Sequence, residues 1–337
     1  MFTSRGAVPV LVAAAALALT GCSAAPTGTV VGAGDLSVVA TTTQVADLAR
    51  NVIGDTAGVN LTQLIQPNQS AHSYDPSAAD LTALGRADVL VINGVGLEGW
   101  LTDAIDASGF HGITIDSATG ITIAEDAAGN DATAQTADAA HDNAGGNPHI
   151  WTDVANAEAM TSTIADGLAA ASTADAGRTA AFTANAATYR TRLAELDTWI
   201  RTNIDMVPAT KRLLVSNHDA FGYFTAAYGI TYVGSVIPSF DDNAEPSASA
   251  IDQLVTKIKA TGVRAVFSEA SISPKAADTI AKQAGVTVHS GTDALYGDSL
   301  GPAGSDGATY IASQLHNVRL ILESWGATPT AVPADLR

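Results

Sequence analysis

The sequence predicts an α/β protein with two lobes, each containing a mostly parallel sheet flanked by helices, joined by one long rigid helix. Three observations lead to this prediction. Short β-branched runs alternate with longer helical patterns in both the early and the late part of the chain. One long amphipathic pattern lies between these two regions. The part expected to fold, about 300 residues, is also longer than a single hydrophobic core usually supports.

The N-terminus has the pattern of an export signal followed by an anchor and a tether. Arg5 precedes an apolar stretch over residues 8–19, which is too short to span a bilayer but suits a signal-peptide core. The sequence LTGC at 19–22 resembles the lipobox of bacterial lipoproteins. Residues 1–21 are therefore expected to be the signal peptide, with lipid attached to Cys22. Residues 22–35, which are almost uncharged, are the expected tether.

The first lobe is expected over residues 36–171. Runs of β-branched residues predict strands, and the apolar spacing after them predicts helices that pack on the sheet. The run at 60–66 is also strand-like. The predicted strand–helix pairs are 37–43 with 45–52 and 89–93 with 97–107.

A long helix over residues 172–204 is expected to connect the lobes. About 30 residues at 1.5 Å rise give a rod of roughly 45 Å, which would limit how far the lobes can hinge. Ser172 and Asp175 suggest a capping box at its start, and Pro208 lies just past its end. Apolar residues at steps of three or four mark its buried face: Phe182, Ala186, Tyr189, Leu193, Leu196, Ile200 and Ile204.

The second lobe is expected over residues 211–330, where strand–helix alternation resumes. The predicted elements are 213–216 before 221–228, 265–268 before 274–283, and a strand at 286–289.

Charge and cysteine content narrow the classes of partner. The net charge of -18 disfavours nucleic acid and anionic headgroups as electrostatic partners, since both need a basic patch. The single cysteine excludes a disulfide within the chain, as expected of an exported protein that uses its cysteine as an anchor. Residues 125–147 lack large apolar side chains and are expected to form a flexible acidic loop.

Three histidines and one aspartate are candidate metal ligands. His72 follows a strand-like run, His149 follows a proline, and His218 lies between a predicted strand and its helix. Asp298 lies in a glycine-flanked loop before the last helix. Taken singly, each is more typical of a solvated loop side chain or a turn residue. Open α/β sheets place ligands beyond the carboxyl ends of strands, so imidazoles in this shared position point to a borderline metal such as zinc.

At these residues the sequence resembles a known family, the cluster A-I substrate-binding lipoproteins that deliver zinc and manganese to ABC importers. The fragments AHSYDP at 71–76, NPHIW at 147–151, NHDAFGYF at 217–224 and YGDSLG at 296–301 are similar to the family's four ligand-bearing motifs, in the same order. The resemblance covers nearly the whole expected mature chain, including residues 91–101, the long helix and residues 266–281.

The resemblance implies a binding protein rather than an enzyme. His72 and His149 would come from the first lobe, His218 and Asp298 from the second, with the metal in the cleft between them. The protein would act as a monomer outside the cytoplasm, on the outer face of the cytoplasmic membrane or in the periplasm. It would pass metal to the permease of an ABC importer, and lipid on Cys22 would hold it at the membrane.

The metal is expected to be Zn²⁺, with Mn²⁺ as the alternative. The family's third motif resembles either a glutamate form, associated with manganese, or a histidine form, associated mostly with zinc, and this chain has His218. Three imidazoles and one carboxylate favour zinc by softness, geometry and the Irving–Williams order. Many zinc-binding relatives carry a histidine-rich loop before the second ligand. Here that segment holds only His141.

Other polar residues are weaker candidates. Glu269 is expected to support the site by hydrogen bonding to a ligand imidazole, and Asn93 to brace the cleft. His289 is the best substitute ligand, although a packing role is the expected one. His111 is expected to be exposed, and His316 to lie on a terminal helix facing solvent.

Two other classes of function remain open from the sequence. A zinc hydrolase would keep three protein ligands, an open water position and a general base, and the chain has no HExxH motif. An adhesin or structural lipoprotein would use the metal only to hold the lobes together.

Overall fold

The computed structural model describes Met1, residues 34–124 and residues 146–337. The predicted signal peptide apart from Met1, Cys22, most of the tether and most of the acidic loop therefore lie outside the described residues. The predicted α/β fold class is confirmed by the described part, in which parallel strands alternate with helices.

A four-stranded parallel sheet forms the core of the first lobe, with the strand order β2-β1-β3-β4. The central strands β1 and β3 are rich in Val and Leu and buried, as expected for a parallel sheet covered on both faces. The strands are β1 Leu36–Ala40, β2 Val59–Gln63, β3 Val89–Ile92 and β4 Ile113–Asp116. The helices are α1 Thr43–Ile53, α2 Ala78–Gly85, α3 Leu101–Ser108 and α4 Val154–Ala171.

Side-chain caps start three of these helices. Thr42 accepts a hydrogen bond from the backbone at the start of α1, and Ser77 forms a capping box with Asp80 at the start of α2. Asp153 caps α4 by accepting from the backbone N–H of Ala155. Each cap satisfies backbone N–H groups that have no partner within the helix.

Helix α3 starts four residues later than predicted. The predicted helix at 97–107 begins at Leu101, because the residues before it form two tight turns, in which the backbone N–H of Leu97 donates to the Gly94 carbonyl and that of Leu101 donates to the Glu98 carbonyl. Gly94, Val95 and Gly96, just before the predicted start, have positive φ angles of 88°, 57° and 72° and belong to the first of these turns.

The long helix α5 spans Ala176–Asp205, a length of 30 residues. The predicted helix is confirmed, but its predicted start is wrong. Asp175 alone caps α5, by accepting from the backbone N–H of Arg178, while Ser172 ends helix α4. The chain needs a short turn there to reverse between the two packed helices.

Two parallel strand pairs, β5 with β6 and β7 with β8, form the second lobe, where the sequence predicts one mostly parallel sheet. A single parallel bridge joins Glu269 to Leu295 beyond β7. The strands are β5 Leu213–His218, β6 Thr231–Ile237, β7 Ala265–Phe267 and β8 Thr287–His289. The helices are α6 Gly222–Tyr228, α7 Ala248–Thr261, α8 Lys275–Ala284 and α9 Tyr310–Ser324.

Helix α5 packs along a core that both lobes share. Its predicted apolar face, from Phe182 to Ile204, is buried in one cluster with Leu48 of α1 and Leu320 of α9. Burying this stripe stabilises the helix and fixes it against both lobes. Among the described residues, none of the helices combines the length and the apolar character needed to cross a membrane.

Replacing Phe182 with alanine should destabilise the protein, because the phenyl ring is fully buried in the shared core. We expect the free energy of unfolding to fall by about 3–5 kcal/mol, measured by urea denaturation. Thr183→Ala is the matched control on the exposed side of the same helix and should change it by less than about 0.5 kcal/mol. An equal fall in the free energy of unfolding for both variants would show that burial of the apolar face of α5 does not stabilise the protein.

Candidate metal centre

Four side chains far apart in sequence converge on one point: His72, His149, His218 and Asp298. One donor atom from each lies within 4.8 Å of all the others, and three of the four residues are fully buried. The Nε2 atom of His149 lies 3.3 Å from that of His72 and 3.2 Å from that of His218. The Asp298 carboxylate lies 3.2, 3.3 and 3.1 Å from the Nε2 atoms of His72, His149 and His218.

These spacings fit a small cation. Four ligands placed tetrahedrally at 2.0–2.1 Å from an ion would be about 3.3–3.4 Å apart. Five spacings of 3.1–3.3 Å are close to that value, with His149 facing Oδ1 of Asp298 and with His72 and His218 facing Oδ2. The cluster can therefore accept a four-coordinate metal ion with little rearrangement.

Each donor is positioned by the end of a secondary-structure element. His72 lies in the loop between β2 and α2, and His149 directly precedes a short 3₁₀ turn that leads into α4. His218 is the last residue of β5, and Asp298 lies in the loop before α9. The first pair comes from the first lobe and the second pair from the second lobe, so the cluster lies where the two lobes meet.

Asn147 fixes the proton on the His149 ring. The Oδ1 atom of Asn147 lies 2.8 Å from His149 Nδ1 and also accepts the backbone N–H of His149 at 3.0 Å. Because a backbone N–H donates to it, this atom is an acceptor, and His149 Nδ1 must carry a hydrogen to bond to it. The Nε2 atom of the neutral ring is then a lone pair directed into the cluster.

Glu269 does the same for His218. Its Oε1 atom lies 2.7 Å from His218 Nδ1 and accepts the backbone N–H of His218 at 3.1 Å. The His218 Nδ1 atom is therefore protonated, and its Nε2 atom faces Asp298. A carboxylate behind a ligating imidazole is the usual way in which proteins orient the ring and increase its basicity.

The centre consequently needs positive charge. Asp298 has no exposed side-chain surface, and among the described residues neither of its carboxylate oxygens has a hydrogen-bond donor other than the facing imidazoles. A buried carboxylate that faces imidazole lone pairs is unfavourable unless protons or a cation lie between them.

The pKa values show where protons sit when no cation is bound. Burial lowers the pKa of His149 to about 4, so this ring stays neutral. Burial also acts to lower the pKa values of His72 and His218, but both pKa values are raised, by Asp298 at His72 and by Asp298 together with Glu269 at His218. Burial acts to raise the pKa of Asp298, but its interactions with His218 and His149, including a hydrogen bond with each ring, hold that pKa well below its usual range.

The loop that carries Asp298 is held by side chains of the opposite lobe. The carbonyl of Gly297 accepts hydrogen bonds from Gln44 Nε2 at 2.9 Å and from Trp151 Nε1 at 3.2 Å. A Cβ atom at Gly297 would collide with the Glu269 carboxylate, so only glycine allows this approach. The position of Asp298 therefore depends on contacts between the lobes.

Asn93 and Glu98 brace the segment before His149. Asn93 donates from Nδ2 to the carbonyl of Pro148 at 3.0 Å. The buried Glu98 carboxylate accepts from the backbone N–H groups of Asn93 at 2.7 Å and Gly94 at 3.2 Å. Sequence reasoning names Asn93 but misses Glu98 and Asn147. The signals available were an acidic residue inside the apolar run at 91–101 and an asparagine two residues before His149.

The remaining described histidines lie apart from the cluster. His289 stacks on Phe267 with ring centroids 4.7 Å apart, and His111 is exposed, as expected. The prediction that His316 faces solvent is wrong. It is buried on the inner side of α9, where its Nε2 atom bonds the Ala294 carbonyl at 3.0 Å.

The chain shares its sequence pattern with a known family. The profile described as "Zinc-uptake complex component A periplasmic" (ZnuA) matches residues 38–324, which is most of the chain. The chain belongs to the ZnuA family. The match includes every residue of the metal centre and all but the first two residues of the first lobe and the last six of the second.

Proteins similar to this chain are named for different metals, some for manganese and others for zinc. The chain is 30% identical over 313 residues to the manganese-binding lipoprotein MntA of Bacillus subtilis, covering 92% of this chain and 96% of MntA. It is 29% identical over 289 residues to the zinc-binding protein TroA of Treponema pallidum, covering 85% and 87% of the two chains. The solved structure of periplasmic TroA superimposes with a TM-score of 0.74 at 26% identity, covering 87% of this chain and 99% of TroA.

Metal binding to this ZnuA-family protein should release protons. At about pH 6 the raised pKa values of His72 and His218 keep both rings protonated, whereas His149 is already neutral. We expect between about one and two protons to be released per Zn²⁺ bound, so that zinc affinity weakens as the pH falls. Isothermal titration calorimetry in buffers of different ionisation enthalpy measures this number.

The His72→Ala variant should release about one proton fewer, because one of the two protonated rings is gone. Zinc binding without any proton release would contradict the assignment of protons to this centre.

Proposed function

We propose that the protein captures Zn²⁺ outside the cytoplasm and delivers it to an ABC importer. The observation that carries this proposal is the buried cluster in which fixed imidazole lone pairs face a carboxylate. Such an arrangement binds a cation strongly, and small movements of the loops that carry its ligands can release the ion. Both TroA, named zinc-binding, and MntA, named manganese-binding, support a role in metal binding.

The ligands of the proposed site are His72, His149, His218 and Asp298. Glu269 orients His218, and Asn93 holds the segment that precedes His149. Neither supporting residue supplies a donor atom to the converging cluster. Outer-sphere partners of this kind commonly affect metal affinity by 10–100-fold when they are removed.

Zinc is the proposed cargo because of the donor set. Three imidazole nitrogens and one carboxylate match the ligands and the tetrahedral arrangement that zinc prefers, whereas manganese favours oxygen-rich, higher-coordinate sites. The Irving–Williams order also places zinc above manganese for the same ligands. Manganese is the second candidate, because MntA of Bacillus subtilis is named for manganese.

The chain organisation is proposed to serve delivery at the membrane. Residues 1–21 would be a signal peptide, Cys22 would carry lipid, and residues 22–35 would be a tether. The lobes would span 36–171 and 211–330, joined by the helix expected at 172–204. The proposed lipid anchor is supported by the similarity to MntA, which is named a lipoprotein. The protein would act as a monomer, and its partner would be the permease of a metal importer.

A hydrolytic function is not proposed. Four protein side chains surround the cluster point, which leaves none of the open coordination that a catalytic zinc keeps for water. Three of the four ligands also have no exposed side-chain surface, which leaves little access for an organic substrate.

Metal analysis with direct competition tests the proposed cargo. Protein stripped with a chelator should bind one Zn²⁺, and equimolar zinc should displace bound manganese because zinc binds the same nitrogen ligands more tightly. Inductively coupled plasma mass spectrometry after desalting measures both ions. Retention of manganese against equimolar zinc would overturn the zinc assignment. A protein that unfolds when stripped would indicate a structural metal instead.

Substituting a ligand tests the site itself. His218→Ala and Asp298→Ala should each weaken zinc binding by more than about 100-fold, which exceeds the usual effect of an outer-sphere change. His111→Ala is the matched control, since it removes an exposed histidine outside the cluster and should leave affinity unchanged. Competition with a chromophoric chelator measures each affinity. Asp298→Ala protein that kept tight binding and hydrolysed substrates would favour an enzyme.

A further inference from the structure

A short segment of the second lobe, residues 239–242, runs beside the metal centre. It contacts the His149 ring and residues close to His72 and His218 in the chain. The carbonyl of Ser239 accepts the backbone N–H of Asp219, the residue after His218, at 3.1 Å. The Phe240 ring lies 6.1 Å from the His149 ring, measured between centroids. Residues 239–242 are called the covering segment below.

The covering segment reaches the first lobe through one side chain. Asp242 accepts a hydrogen bond from the hydroxyl of Ser70 at 2.8 Å, between its Oδ1 atom and the serine oxygen. Ser70 precedes His72 by two residues and belongs to the first lobe, whereas Asp242 follows β6 of the second lobe. This bond therefore crosses the cleft directly beside a ligand.

The Ser70 hydroxyl also organises the loop that carries His72. Its oxygen accepts the backbone N–H groups of His72 at 3.2 Å and Ser73 at 3.3 Å, while its hydrogen is donated to Asp242. A hydroxyl has one hydrogen to donate, and Asp242 receives it. The conformation of the His72 loop is thus tied to the covering segment through a single atom.

His72 is also the ligand on the accessible side of the centre. Its side chain is 11% exposed, whereas those of His149, His218 and Asp298 have no exposure. An ion that enters or leaves the closed protein would therefore pass by His72. A contact that restrains His72 can therefore affect how fast the metal ion exchanges with solvent.

Asp242 is suited to restrain His72. Only 9% of its surface is exposed, so its carboxylate has lost most of its hydration and depends on the donors it contacts. Asn243 Nδ2 donates to the same Oδ1 atom at 2.8 Å, which orients the carboxylate towards Ser70. Hydrogen bonds to a charged acceptor are also stronger than those between neutral groups.

We propose that Asp242 is a positioning residue whose hydrogen bond to Ser70 latches the His72 loop across the cleft and slows the departure of the bound metal. This inference rests on the proposed function, because it concerns the rate at which the same site releases its ion. Asp242 does not coordinate the metal, and its loss leaves all four ligands in place.

Release kinetics test the latch. Full-length protein carrying one Zn²⁺ is mixed with excess chromophoric chelator in a stopped-flow instrument, and the rate of zinc transfer is measured. We expect Asp242→Ala to release zinc about tenfold faster, with one zinc still bound at the start. Asp242→Asn keeps an oxygen that can accept from Ser70 and should stay within about threefold of the unmodified protein.

Two further variants separate the latch from general effects. Asp252→Ala removes an exposed carboxylate from α7 of the same lobe and should leave the release rate unchanged. Ser70→Ala should also accelerate release, and the Ser70→Ala/Asp242→Ala double variant should be no faster than Ser70→Ala alone. The melting temperature of the metal-free Asp242→Ala protein should stay within about 2 °C of the unmodified protein.

Several results would overturn the proposal. Release from Asp242→Ala at the unmodified rate would show that the contact does not restrain the metal. Equal acceleration by Asp242→Asn and Asp242→Ala would assign the effect to charge rather than to the hydrogen bond. Additive effects in the double variant would separate Asp242 from Ser70. If the unmodified protein takes up no zinc, the proposed function itself fails, which is distinct from a failure of the latch alone.

Discussion

Two hydrogen bonds determine the chemistry of the metal centre, one joining the His149 ring to Asn147 and the other joining the His218 ring to Glu269. Each acceptor holds a hydrogen on Nδ1 and leaves the Nε2 lone pair directed at Asp298. Away from water, lone pairs that face a carboxylate are unfavourable unless positive charge lies between them. Protons supply that charge when no metal is present. A metal ion supplies it better because all four ligand side chains can coordinate it at once. Metal binding and proton release are therefore two aspects of one equilibrium.

The fold makes this centre depend on both lobes. The ligands come in pairs from the two lobes, and the loop of Asp298 is fixed by Gln44 and Trp151 from the opposite side. Helix α5 packs in the core that both lobes share, which restrains large hinge motions. With the lobes restrained in this way, we expect the metal ion to enter and leave through small rearrangements of loops rather than through wide opening of the lobes. The contact between Ser70 and Asp242 lies on that route, beside the one partly exposed ligand.

Local patterns in the sequence predicted the strand–helix alternation, helix α5 and the strand-end positions of the histidines, because each depends on neighbouring residues. Motif resemblance predicted which four side chains would meet. Contacts between distant segments were beyond such reasoning. Gln44 and Gly297 are 253 residues apart, and no spacing indicates that they bond. The burial of His316 depends on which face of α9 packs inward, and the late start of α3 depends on two tight turns that precede it. Glu98 was missed because an acidic side chain in an apolar run has no partner visible in sequence.

X-ray absorption at the zinc edge tests the central claim most directly, because it reports the number and type of atoms bound to the ion. Protein loaded with one equivalent of Zn²⁺ should show four nitrogen or oxygen ligands at about 2.0–2.1 Å, with the outer-shell scattering of three imidazoles. The Glu269→Gln protein should keep the same ligand count with a more disordered imidazole shell. A spectrum with six oxygen ligands, or with fewer than three imidazoles, would contradict the proposal that His72, His149, His218 and Asp298 close around one cation.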